Sequence, residues 1–73
     1  MKEVKEFLVL NGFQKIEEHL YANDMCRVEF FEHGYGVANN AGDAMYSKDH
    51  NIYWLIGVLT YYGYMNKNYI KSK

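Results

Sequence analysis

The chain reads as an α+β fold, in two layers ordered α-β-β-β(-β)-α. Its sheet is an antiparallel meander of three or four strands, and both helices pack on one face of it. Three observations predict this. Apolar residues recur with helical spacing near the start of the chain and again late in it. Between those segments the pattern switches to alternation, the period of a strand with one buried face. The intervening connections are short and rich in Asn, Asp and Gly, which joins consecutive strands as antiparallel neighbours.

The first helix is predicted over 2–11. Val4, Phe7 and Leu8 share one face while Lys2, Glu3, Lys5 and Glu6 take the other. Asn11-Gly12 is the stop, because glycine takes the left-handed conformation that closes a helix. So short a helix is marginal alone in water and must dock on something.

Strands are expected over 14–21, 25–33 and 35–40, with a short fourth at 44–46 left open. In the first, Ile16, Glu18 and Leu20 alternate with Glu17, His19 and Tyr21. The second is the clearest: Cys26, Val28 and Phe30 face inward, Arg27, Glu29 and Phe31 outward. Gly34 permits the reversal, and Tyr35 and Val37 return on the inner face. Asn23-Asp24 and Asn40-Ala41-Gly42-Asp43 supply turn chemistry.

The second helix is expected over 50–63 with Asp49 as its cap, the carboxylate sitting at the positive helix end. It lies within DHNIYWLIGVLTYYG, the most apolar stretch of the chain. Ile52, Leu55, Ile56, Leu59 and Tyr62 form one stripe, and Trp54, Val58 and Tyr61 form a second, about 120° round. Two apolar stripes call for two partners. The sheet is one. The first helix is the other if it reaches that far, with Gly57 allowing close approach; otherwise Trp54, Val58 and Tyr61 are bare for a second chain. A polar tail follows over 66–73.

At 73 residues the chain is one domain, near the lower limit for a single hydrophobic core. With 49% hydrophobic and 23% charged residues it is globular rather than disordered. Cys26 is the sole cysteine, so no internal disulfide assists, and stability rests on packing or association. The charge is uneven. From Ile16 to His50 seven acids (Glu17, Glu18, Asp24, Glu29, Glu32, Asp43, Asp49) stand against Arg27 and Lys48, while the tail carries Lys67, Lys71 and Lys73. A net charge of −1 argues against general nucleic-acid affinity. No signal peptide is visible, and the uncharged helix is shorter than the ~20 apolar residues of a membrane span. The expectation is a cytoplasmic protein.

No catalytic constellation emerges. Cys26 alternates with Val28 and Phe30 on the inner face, where a thiol is inert. His19 and His33 lack a third ligand for a metal, and the histidines and cysteine do not fall at zinc-site spacings. Glu17, Glu29 and Glu32 offer a carboxylate pair across the first two strands, as a glycosidase needs, but a chain this short has little material for a cleft. Gly34-Tyr35-Gly36 lacks the helix-opening context of a phosphate loop. No cofactor or metal is expected. What remains is an outer sheet face with Glu17, His19, Tyr21, Arg27, Glu29 and Phe31, where aromatics can anchor and acids can steer a basic partner.

The run MYSKDHNIYWLIGVLTYYGYMNKNYIK resembles the C-terminal half of short uncharacterised proteins of bacteriophages and mobile elements. The resemblance covers about the last third of the chain and carries no functional residues across. It implies a class, that of very small non-enzymatic proteins that bind and block a host protein, as anti-CRISPR and other anti-defence inhibitors do. The expected function is therefore protein–protein binding through the outer sheet face or through Trp54, Val58 and Tyr61. Self-association into a homodimer and weak nucleic-acid binding by the basic tail are the alternatives.

Overall fold

The computed structural model describes residues 2–65. The expected tail, with Lys67, Lys71 and Lys73, lies outside the described residues. Helix α1 (Lys2–Leu10) is followed by β1 (Gln14–Glu17), β2 (Leu20–Ala22), β3 (Cys26–Phe30), β4 (Tyr35–Asn39) and β5 (Ala44–Ser47), then by α2 (Ile52–Tyr61). The five strands form one antiparallel meander in the order β1-β2-β3-β4-β5. No helix among the described residues is long and apolar enough to cross a membrane.

The core is a single cluster on one face of this sheet. Val4 and Leu8 from α1 meet Tyr21, Cys26, Val28, Phe30, Tyr35 and Val37 from the sheet, together with Leu55 and Leu59 from α2. Both helices therefore cover the same face. Each ends in the same way. Gly12 and Gly63 take φ of 92° and 69°. The next residue donates back five positions, Phe13 to Leu8 at 2.9 Å and Tyr64 to Leu59 at 2.8 Å. Each glycine donates back three positions, to Val9 and Thr60. These are Schellman closures, with Phe13 and Tyr64 turned onto the core beside the helix they end.

The strand expected over 14–21 is two strands. The chain reverses at Glu18-His19, and the β1–β2 register jumps from Lys15↔Tyr21 to Glu17↔Leu20, so Ile16 is the extra residue of a bulge. That jump corrects the face assignment of the whole segment. Ile16, expected inside, is exposed, and Tyr21, expected on the outer face, pairs with Val28 and is only 4% exposed. The reversal has its own fastening: Glu18 accepts from Lys15 Nζ at 2.9 Å and from Lys5 Nζ of α1 at 3.0 Å. Those two ammonium donors hold the Glu18 carboxyl down to about 2, with Lys15 the larger influence.

Three further expectations are corrected. Asn51, not Asp49, caps α2: its Oδ1 accepts from Tyr53 N at 2.8 Å and Trp54 N at 3.3 Å, while Asp49 Oδ1 accepts from Asn51 N one step earlier. Gly57 receives no close neighbour, since a Cβ there would find nothing within 4 Å. The two stripes of α2 merge into one broad buried arc. Leu55 and Leu59 are fully buried, and Ile52, Trp54 and Val58 pack around them, with Trp54 stacked on Tyr35 at 6.2 Å between centroids. The shared core covers Ile52, Leu55 and Leu59 of the first stripe and Trp54 and Val58 of the second, while Tyr62 and Tyr61 at their ends stay exposed, as do Tyr53, Gly57 and Thr60.

Asparagines tie the turns to the end of α2. Asn23 Oδ1 accepts from Met25 N and Cys26 N, and its amide donates to the Tyr64 carbonyl at 2.6 Å. Asn39 Oδ1 accepts from Ala41 N and Asp43 N, and its amide donates to the Tyr64 hydroxyl at 2.9 Å. Turn chemistry legible in the sequence thus also anchors the helix across the core.

Candidate functional site

Strand β3 alternates strictly, burying Cys26, Val28 and Phe30 and presenting Arg27 and Glu29 to solvent. Across the sheet Arg27 faces Ala38, which faces Ala44, while Glu29 faces Gly36, which faces Tyr46. Three small residues in those two rows leave a depression of about 150 Å³ on the outer face, walled by Arg27, Glu29, Phe31 and Tyr46. The site is the size of one side chain, well below the roughly 300–1,000 Å³ of a small-molecule pocket.

Phe31 and Tyr46 make the aromatic wall, 41% and 69% exposed, with centroids 6.1 Å apart. Gly36 lets them meet, since a Cβ there would lie 2.8 Å from Phe31 Cε2 and 3.1 Å from Tyr46 Cε1. The backbone of Phe31 is held twice. Its N–H donates to the Gly34 carbonyl at 2.8 Å, and its carbonyl accepts from His50 Nε2 at 2.8 Å. Gly34 serves close packing rather than an unusual φ, because a Cβ there would run into the Ser47 backbone carbonyl. Among the described residues neither Arg27 nor Glu29 has an ion-pair partner.

The residues expected to form a binding surface separate into groups. Glu17 lies exposed at the far end of the row that runs through Leu20, Glu29, Gly36 and Tyr46, and His19 is exposed at the neighbouring turn. Arg27, Glu29 and Phe31 come together around the depression. Tyr21 belongs to the core, edge-to-face with Phe30 at 5.8 Å. Trp54 and Val58 are half-buried against the core as well, and only Tyr61 of that stripe is bare, at 81% exposure. Tyr46, Gly36 and His50 were missed. A short strand at Ala44 to Tyr46 is legible in the sequence, but the place of Tyr46 beside Phe31 depends on register, which the sequence does not print.

The reactive groups are quiet. Cys26 is buried, and its thiol is pushed up to about 12 by that burial, with Arg27 pulling weakly the other way. No group of three or more His, Cys, Asp or Glu among the described residues could hold a metal ion. Comparison with protein-family models, with curated proteins and with solved structures finds no match.

Proposed function

We propose that this chain is a small non-catalytic binding domain that grips a partner protein with its outer sheet face. One observation carries the reading: the exposed Phe31–Tyr46 pair stands beside Arg27 and Glu29, which have no ion-pair partner among the described residues, over a depression made by Gly36, Ala38 and Ala44. Aromatic residues and arginine are the side chains that anchor protein interfaces, and a pocket for a single side chain is where such an anchor seats. The acid excess between Ile16 and His50 favours a partner with a basic surface, which it would steer into contact. A lysine or arginine from that partner can lie over the two rings with Glu29 as its counter-charge. We propose further that the target is a bacterial host or defence protein and the chain its inhibitor, a reading that rests on the sequence resemblance to small phage proteins alone.

The test is capture from a bacterial lysate at physiological salt with three tagged forms: the natural chain, the Phe31→Ala/Tyr46→Ala double variant and Tyr53→Ala on α2. The reading predicts a protein recovered by the first and third forms and lost from the second. Equal recovery by all three, or recovery of nucleic acid alone, overturns it.

A further inference from the structure

The two edges of the sheet are built differently. Strand β1 is guarded by the Ile16 bulge and by Lys15, Glu17 and Glu18, devices that discourage edge-to-edge pairing. Strand β5 has none of them. Its residues Ala44, Met45, Tyr46 and Ser47 are uncharged, contain no proline and run in unbroken register with β4. Among the described residues no strand pairs with its outer side. Both faces beside this edge are also under-filled among the described residues. The outer depression reaches Ala44 and Tyr46, and on the inner face a groove of about 240 Å³ opens between Val37, Met45, Tyr62 and Tyr64.

We infer that β5 pairs antiparallel with β5 of a second copy of the chain, about a two-fold axis at Met45, joining two five-stranded sheets into one. The register follows from faces, size and charge. A two-fold perpendicular to a continuous sheet pairs only residues that point to the same side, so the axis falls on Met45 or on Tyr46. Centring on Tyr46 sets Asp43 against Asp49 of the other copy, a like-charge pair that costs stability. Centring on Met45 sets Asp43 against the Ser47 hydroxyl and brings the two methionines together where the inner grooves meet. It also lays each Tyr46 over the other copy's Ala44, large on small. Each outer depression then gains an aromatic from the second copy, so the partner-binding surface is doubled and continuous across the seam.

The measurement uses the full chain alone, so its outcome does not depend on whether any other protein binds. Sedimentation equilibrium of the natural chain is expected to show a reversible monomer–dimer equilibrium, with the amides of β5 more protected from exchange at high concentration. Met45→Cys is expected to form a disulfide dimer under mild oxidation, because directly opposed residues lie about 4.5–5.5 Å apart, within the roughly 4.4–6.8 Å that a disulfide spans. Buried Cys26 stays out of that reaction, and Tyr53→Cys on α2 serves as the control that does not cross-link. Met45→Lys and Met45→Glu are each expected to be monomeric and to pair when mixed. A natural chain that stays monomeric at every concentration overturns the inference, as does a dimer that cross-links at residue 53 rather than 45. If the β5 amides become protected only on adding another protein, the edge serves a foreign strand and the inference is likewise overturned.

Discussion

His50 Nε2 donates to the carbonyl oxygen of Phe31 across 2.8 Å, tying the entrance of α2 to the aromatic wall of the outer face. The same imidazole lies 5.3 Å from the Tyr35 ring in the core. One side chain therefore links helix start, core and candidate interface. His50→Ala should lower unfolding free energy by about 1 kcal/mol, the usual net worth of one hydrogen bond. It should also weaken capture of a partner through a loosened Phe31. Urea denaturation and capture, run side by side, check both effects.

The face assignment of the aromatics gives a sharper contrast. Tyr21→Ala should cost about 3–5 kcal/mol, as other aromatic truncations in cores do. Tyr61→Ala, at an exposed helix position, should stay within about 0.5 kcal/mol. Equal effects in denaturant unfolding would mean that the register jump at Ile16 is wrongly drawn.

These two residues also show how far the sequence reached. Helix faces, the inward set of β3 and the glycine stops were legible because each depends on local period or local backbone demand. Tyr21 was misplaced because the Glu18-His19 reversal contains no Gly, Asn or Pro and is held by side-chain contacts of Glu18, with Lys15 nearby and with Lys5 of α1. A turn without the usual turn residues, fastened by charged side chains, gives no backbone signal of where the strand breaks. The broad buried arc of α2 was misread for a related reason: a stripe count assumes flat partners, whereas Trp54 finds its place on Tyr35 once the sheet is formed. Arg27, Glu29 and Phe31 were found by alternation alone, while Tyr46 required knowing which strand faced which.

Tyr35 is completely buried, yet among the described residues its hydroxyl finds no hydrogen-bond partner. Burial pushes its ionisation up, and Asp49 adds to the effect. Because an unpaired buried hydroxyl carries a desolvation cost of about 1–3 kcal/mol, Tyr35→Phe should leave stability unchanged or raise it by about 1 kcal/mol. A clear loss in chemical denaturation would reveal a partner for that hydroxyl.

Acid should act first at the β1–β2 turn. Glu18 is held at about 2 in the folded chain, against an ordinary value of 4.5. Between those values the unfolded chain binds the extra proton, so the contribution is full above 4.5 and is lost as pH falls towards 2. Lys15, raised by the same pair, contributes below its ordinary 10.5 and loses that contribution as pH climbs through its raised value. Glu18→Gln should therefore show a shallower fall in melting temperature on acidification. Because the pair is fully exposed, added salt should shrink the difference.

In the proposed function the outer sheet face, rather than the bare side of α2, meets the partner. Replacing Tyr46, and separately Tyr53, with a photoreactive benzophenone amino acid and irradiating in bacterial lysate tests it most directly. Mass spectrometry separates adducts to another protein from adducts between copies of the chain. The account predicts a foreign-protein adduct from position 46 and none from position 53. An adduct formed from position 53 alone would contradict it.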